Sequence, residues 1–443
     1  MTTGLDARRV AFDVLRQVGS DGAYANLALS KRLARASLDS RDAAFATELV
    51  AGTCRMLGTY DMIIETASGR RLRTLQPAVV DLLRLLAHQA LSMAVPERAA
   101  VATTVELARG TVGHRVTGLV NAIGRRVASR NLGEWLEELT RGLDGHGALA
   151  VATHHPRWIV EAYSRLLPED ELESALRSNN LAPRPTLVIR PGLAEVTELA
   201  PATPTLYSPF GAVLEGSPGD VPPVHEGRAG VQDEGSQLVA LALARMDSPS
   251  GPWLDLCAGP GGKAALLAGL ARRTGTHLVA NEVAPHRARL VGQNLAAYPP
   301  GTVSVICSDG RSPEKIRQHG PFSKIMVDAP CSGLGALRRR PEARWRRTPA
   351  DLPELIALQC SLLRAAIDLL IPGGVIAYVT CSPHPDETVS VVERILDGHP
   401  GLELLNAPEA LPEVPDVGRG RYVQLWPHRH GTDAMFLALL RSQ

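Results

Sequence analysis

Apolar positions recur at helical spacing through the first third of the chain. Val10, Val14, Leu15 and Val18 fall on one face, as do Phe45, Leu49, Thr53 and Leu57, and this period predicts amphipathic helices. Further helices are predicted over 79–86, 101–107 and 119–127, with Pro77 and Pro96 near helix starts. The pattern is mixed over 143–245. Thr186-Leu187-Val188-Ile189 reads as a strand, whereas Tyr207–Gly211 and Ser217–Asp220 are turn-rich. From Pro252 onward short apolar runs alternate with helical stretches, which predicts an α/β architecture with a parallel-rich sheet. The Pro-rich stretch 408–415 reads as a loop.

Composition narrows the class. The 443 residues are 45% apolar and 21% charged, as expected of a folded globular protein. No uninterrupted apolar run reaches the roughly 18 residues of a membrane span. The opening residues lack the apolar core of a secretory leader, so a cytoplasmic protein is expected. None of the six cysteines is spaced CxxC, so no metal site is expected and free thiols are. Net charge is +1, which does not by itself point to nucleic acid. Its distribution is uneven: about +4 over residues 1–150 and about −3 over the rest. Only four basic residues are lysines. A GC-rich genome accounts for the arginine excess but not for the clusters Arg338-Arg339-Arg340 and Arg344-Trp345-Arg346-Arg347, which read as candidate phosphate-contacting and base-stacking residues.

The candidate chemistry gathers where predicted strands end. Trp253-Leu254-Asp255-Leu256 runs into Cys257-Ala258-Gly259-Pro260-Gly261-Gly262-Lys263, and a helix follows. Strand, glycine loop and helix bring backbone and a helix N-terminus close to a ligand. The next three predicted strands end in Glu282, Asp309 and Asp328, where carboxylates can accept hydrogen bonds from ribose hydroxyls. GxxxxGK[ST] is absent, and the acids disfavour a triphosphate. They suit a ligand with a ribose and no net negative charge, such as S-adenosyl-L-methionine. Cys331 and Cys381 fall on the same rim, after the predicted strands ending at Asp328 and Val379. Cys54, Cys307 and Cys360 lie in apolar contexts and read as buried small hydrophobes, and the Cys257 side chain is expected to pack. His428 and His430 read as loop residues rather than metal ligands. His384-Pro385-Asp386-Glu387 reads as a loop leading into the helix from Thr388.

The run Cys257–Lys263, Asp328-Ala329-Pro330-Cys331-Ser332-Gly333 and Thr380-Cys381-Ser382 resemble the Sun family of RNA cytosine-5 methyltransferases. The resemblance extends to Gln232–Gln237, just before the core, and to Gly431–Phe436, which resembles the family's closing strand. Residues 1–142 are similar to a NusB-like helical RNA-binding domain. The resemblance implies a small α+β domain over 143–245 and a Rossmann-like class I methyltransferase domain over 246–443. It implies S-adenosyl-L-methionine held by Cys257, Ala258, Gly259, Pro260, Gly261, Gly262, Lys263, Glu282, Asp309 and Asp328. Two departures are notable: Gly259 stands where Ala is common, and Glu282 where Asp is frequent.

The chemistry of the resemblance is covalent. Carbon 5 of cytosine becomes nucleophilic when a thiolate adds to carbon 6. Either rim thiol could serve by position alone. The resemblance assigns Cys381 as nucleophile and Cys331 as the thiol that assists product release, with Asp328 and Lys263 as further catalytic candidates. The implied partner is small-subunit ribosomal RNA, with a monomer sufficient. Transfer RNA or another RNA, a small-molecule substrate and a non-catalytic RNA-binding factor remain alternatives at this point.

Overall fold

The computed structural model describes residues 4–443. Met1, Thr2 and Thr3, which open the segment inspected for a leader, lie outside the described residues. The chain forms two compact units, Met1–Leu181 with Leu337–Thr348, and Ala182–Ala336 with Pro349–Gln443. Residues 143–181, read above with the linker, thus lie in the helical unit, while 182–245 join the second unit.

The first unit is helical. Its opening helix, Leu5–Ser20, buries Val10, Val14, Leu15 and Val18, the face marked by the period. Ser40–Arg55 starts on Asp39, whose carboxylate accepts the Asp42 N–H. Pro77 occupies the first turn of Pro77–Leu91, where its missing N–H costs nothing. Asn131 and Glu134 form a reciprocal cap on Leu132–Thr140. Leu49, Ile63, Leu82, Leu86, Val120 and Val127 meet in one apolar core. Helices at Leu57–Ser68, Gly145–Ala152, Arg157–Ser164 and Glu169–Ser178 are not among those predicted from the sequence, although Ile159, Val160 and Tyr163, and likewise Leu172, Ala175 and Leu176, are buried at helical spacing.

The segment Leu337–Thr348 corrects the reading of the arginine clusters. Arg344 is fully buried. It donates to the His154 carbonyl at 3.0 Å, the Asn180 amide oxygen at 2.7 Å and the Asn179 carbonyl at 3.1 Å. Trp345 Nε1 donates to the Cys54 carbonyl at 2.9 Å, and its ring lies so close to Gly58 that a Cβ there would fall 2.2 Å away. Arg346 donates to the carbonyls of Val18 and Gly22, both at 2.9 Å, and to that of Ala23, closing the end of the first helix. These three side chains donate to backbone carbonyls of the helical unit, and Arg344 also to a side-chain amide, rather than being presented for phosphate contact or base stacking. Arg339 and Arg340 remain exposed.

The second unit carries two sheets. In the first, β1 (Thr186–Ile189) is flanked by β3 (Gly211–Val213) and β4 (Ala229–Val231), and β2 (Thr203–Pro204) pairs with β3; all pairings are antiparallel. The second is nine-stranded: β5 (Trp253–Asp255), β6 (Leu278–Asn281), β7 (Val303–Ile306), β8 (Phe322–Asp328), β9 (Leu370–Thr380), β10 (Leu402–Leu404), β11 (Gly418–Arg419), β12 (Tyr422–Gln424) and β13 (Phe436–Ser442). Strands β5 to β9 are parallel in the order β9-β8-β5-β6-β7, and β13 adds antiparallel to β9.

The apolar run in β9 shows why this sheet is covered on both faces. Val375, Ala377 and Val379 enter one core with helices Glu234–Arg245 and Gly262–Arg273. Ile376 and Tyr378 enter the other with Leu352–Ile367 and Val389–Gly398. Alternation with a period of two sends successive side chains to opposite cores, so a continuous apolar run is required. The chain leaves β5 toward β6 and β7, then returns to β8 on the other side. That reversal opens a crevice at the carboxyl ends of β5 and β8.

Two local expectations are corrected. Cys307 is exposed rather than buried, because β7 is an edge strand and the chain leaves the sheet at Ile306. Residues Gly431–Met435 precede the closing strand, which begins at Phe436. No helix among the described residues is long and apolar enough to cross a membrane.

Candidate active site

The glycine loop leaves β5 and turns into Gly262–Arg273. Gly261, at φ 116°, takes a backbone conformation open to glycine, and a Cβ there would approach Val291 Cα to 3.1 Å. Gly259 has another reason to lack a side chain. A Cβ at 259 would fall 2.0 Å from Glu282 Oε2. That oxygen accepts the Gly259 N–H at 3.1 Å, and Oε1 accepts the Ala284 N–H at 2.9 Å. Arg287 donates to the Gly259 carbonyl at 2.5 Å and pairs with Glu282 at 3.5 Å. The buried Glu282 therefore braces the loop while each carboxylate oxygen keeps a second lone pair. Cys257 packs against the apolar core beneath β5.

Asn281 joins three strand ends, a role not visible in the sequence. Its amide donates to the Leu256 carbonyl at 3.0 Å and the Ser308 carbonyl at 3.1 Å, and its oxygen lies 2.7 Å from Ser308 Oγ. Asp309 follows, but its exposed-side carboxylate is engaged by Arg311 at 2.6 Å, which holds it below the usual carboxylate range. No direct contact joins Asp309 to the loop or Glu282 among the hydrogen bonds of the described residues.

On the other side of the crevice Lys263 Nζ donates to Asp328 Oδ2 at 2.9 Å and reaches Ser236 Oγ at 3.4 Å. Burial opposes the ammonium; the charge and hydrogen bond of Asp328, then the charges of Cys381 and Asp255, outweigh it, and the pKa is raised. Burial, then the neighbouring Asp328, pushes the Asp255 carboxyl up to about 7. Gln232 is 7% exposed. Neither atom of its amide has a hydrogen-bond partner, and it lies about 4 Å from the Cβ direction of Gly262 at the helix N-terminus. A buried amide without partners beside a helix N-terminus is a ready recognition group for a polar ligand.

Cys331 Sγ and Cys381 Sγ are 3.5 Å apart, and both thiols are partly exposed. The hydrogen bond to Cys381, then burial, then the charges of Cys381, Glu387 and Asp328 hold the Cys331 thiol well above its usual range. The two loops are also joined through Gly335. Its N–H donates to the Cys381 carbonyl at 2.9 Å, and its carbonyl accepts the Ala434 N–H at 2.9 Å. The Gln232–Gln237 segment meets the closing segment where Asp233 Oδ1 accepts the Asp433 N–H at 2.9 Å. His430 is tied to Trp426 N–H at 2.8 Å and to the Pro415 carbonyl, a loop-fixing arrangement.

A cavity of the second unit lies elsewhere, lined by Arg245, Glu403, Arg421 and Arg441. Its lining has no thiol and no strand-end acid; both kinds of group gather at the crevice.

A family model described as 16S rRNA methyltransferase RsmB/F matches residues 240–441, and a NusB family model matches residues 5–129. A putative methyltransferase of Mycobacterium tuberculosis is 48% identical, covering 98% of this chain and 96% of the relative. Ribosomal RNA small subunit methyltransferase B of Vibrio vulnificus is 31% identical, covering 99% of this chain and 100% of the relative. The crystal structure of PH0851 shares the fold, with a TM-score of 0.82 at 22% identity over 100% of this chain and 99% of that one. A NusB-type helical region, a mostly parallel sheet and whole-length similarity to ribosomal RNA methyltransferases together mean that the chain belongs to the RsmB/F family of 16S rRNA methyltransferases.

Proposed function

We propose that the chain methylates carbon 5 of a cytidine in small-subunit ribosomal RNA, with S-adenosyl-L-methionine as methyl donor and Cys381 as covalent nucleophile. The observation that carries this reading is the 3.5 Å separation of Cys331 and Cys381 at the ends of adjacent parallel strands, with the Lys263 cation acting on Cys381. One thiol per turnover is needed to attack and another group to finish the reaction.

Residues Cys257–Lys263, Glu282, Asp309 and Asp328 would hold the cofactor, which supplies the methyl group. The unpartnered Gln232 amide beside the helix N-terminus fits a polar ligand there. Lys263 favours the thiolate of Cys381, while Cys331 is held protonated. Attack of Cys381 on carbon 6 of the extruded base makes carbon 5 nucleophilic. Asp328 has one carboxylate oxygen on Lys263, and its other oxygen would accept a hydrogen bond from the ring edge. Once the Cys381 sulfur is bonded to carbon, the leading cause that raises the Cys331 thiol is gone. Cys331, having passed its own proton to solvent water, can then take the carbon-5 proton directly or through water, and the electrons of that C–H bond re-form the ring double bond as the Cys381 thiolate leaves.

A denaturing-gel experiment tests the assignment. Wild type, Cys331→Ala and Cys381→Ala are incubated with S-adenosyl-L-methionine and a small-subunit RNA transcript. A slow-migrating protein–RNA band is expected with Cys331→Ala and absent with Cys381→Ala. A band that requires Cys331 instead would reverse the two roles. Sequencing of ribosomal and transfer RNA from cells lacking the protein identifies the substrate; a lost methyl mark confined to transfer RNA overturns the ribosomal reading.

A further inference from the structure

We infer that Glu387 is the positioning residue that holds the two rim thiols in register, through the serines that follow them. The inference rests on the two-thiol reading above. Glu387 lies in the turn after β9, read from the sequence only as part of a loop, and is fully buried. Its Oε1 accepts the Ser332 N–H at 2.7 Å and Gln359 Nε2 at 3.1 Å. Its Oε2 accepts Ser382 Oγ at 2.8 Å and Ser332 Oγ. Four donors fill the accepting capacity of one carboxylate.

Those donors flank the thiols. Ser332 follows Cys331, and Ser382 follows Cys381. Gln359 Nε2 also donates to the Pro330 carbonyl at 2.9 Å, so both neighbours of Cys331 are held by one linked group. Ser332 Oγ and Ser382 Oγ are 3.0 Å apart. Two hydroxyls carry two protons for three contacts, and the anionic acceptor takes both. The carboxylate thus draws together two loops that leave different strands. The Tyr378 hydroxyl fixes the clamp from below, donating to the Glu387 carbonyl at 2.7 Å.

The side-chain requirement can be stated atom by atom. Glutamine can replace glutamate here. Its oxygen can accept from Ser332 N–H and Gln359, and its amide can donate to both serine hydroxyls, one of which then turns its own proton to the other while the second hydroxyl proton loses its acceptor, so the clamp is kept at the cost of one hydrogen bond. Aspartate is one methylene short of the four donors, and alanine offers no acceptor. A carboxylate needed only for its charge would fail as glutamine.

The test uses full-length Glu387→Gln, Glu387→Asp and Glu387→Ala, with two readouts. Steady-state methylation of the RNA transcript should show kcat reduced about 100-fold for Ala and Asp, with KM for cofactor and RNA within about threefold of wild type. Glutamine should retain kcat within about threefold. Independently of methylation, diamide should oxidise Cys331 and Cys381 to a disulfide, taking up the two electrons and two protons. That rate, followed by mass spectrometry of the linked peptides, should fall at least tenfold in Ala and Asp and stay near wild type in Gln. If Ala and Asp do not fold, Ser332→Ala and Ser382→Ala each remove one arm of the clamp, and each should slow disulfide formation. Unchanged disulfide rates in the alanine variants overturn the inference. So does a glutamine variant as impaired as alanine. Normal clamp behaviour in the oxidation assay with no RNA methylation by wild type would instead refute the proposed activity.

Discussion

Gly259 and Glu282 are matched in space: the Cβ absent from one position is replaced by a carboxylate oxygen of the other, 2.0 Å from where that Cβ would stand. Glu282 reaches the loop backbone only because residue 259 has no side chain. The sequence departs from its resembling family at both positions, and the structure makes the two departures one feature.

Gly259→Ala is therefore expected to displace Glu282 and weaken S-adenosyl-L-methionine binding about tenfold, measured by calorimetry. Glu282→Asp alone should also weaken it, by withdrawing the brace. Gly259→Ala combined with Glu282→Asp should bind more tightly than the sum of the single effects allows, since the shorter acid relieves the contact. Strict additivity would show that the positions act separately.

Lys263→Met should lower kcat about 100-fold and move the ascending limb of the pH–rate profile to higher pH. Removing the cation takes away the charge that favours the Cys381 thiolate and leaves Asp328 without its 2.9 Å partner. Lys263→Arg should not restore the rate, because a planar guanidinium does not replace a compact ammonium in a buried site. An unshifted profile in Lys263→Met would remove Lys263 from thiol activation.

The Asp255 carboxyl, raised to about 7 by burial and by Asp328, makes stability depend on pH in a definite direction. Between the unfolded value near 3.8 and about 7 the folded protein binds the extra proton, so this group's contribution to stability falls as pH rises through that window. Asp255→Asn removes the titration. The variant's melting temperature relative to wild type should be higher at pH 8 than at pH 5. The reverse order would mean that the buried carboxylate is stabilised in its charged form.

Arg344→Ala should lower the melting temperature of the helical unit by several degrees, through loss of three buried hydrogen bonds on the order of 3 kcal/mol in total. RNA affinity measured well below the melting temperature should be unchanged. Arg339→Ala combined with Arg340→Ala should instead reduce the salt dependence of RNA binding, with a smaller loss of stability than Arg344→Ala because the Arg340–Tyr24 contact is at the surface. A large affinity loss in folded Arg344→Ala would restore it to the RNA-contacting role.

The sequence by itself determined what depends on short-range pattern. Helical period marked the faces of Leu5–Ser20 and Pro77–Leu91. A strand running into a glycine loop and a helix marked the crevice, and strand ends marked Glu282, Asp328, Cys331 and Cys381 as rim residues. Each is readable locally because hydrogen bonds within a helix and alternation along a strand repeat every few residues. Tertiary structure decided the partners. Arg344, Trp345 and Arg346 are hydrophilic or amphipathic side chains whose carbonyl partners lie more than 160 residues away in the chain. Glu387 reads as one acid among many until folding brings Ser332 to it across 55 residues. Cys307 lies in a locally apolar run and is exposed because it follows an edge strand, where the chain has already left the sheet. Burial of a polar group is set by the donors and acceptors that the fold gathers around it, and no local pattern records them.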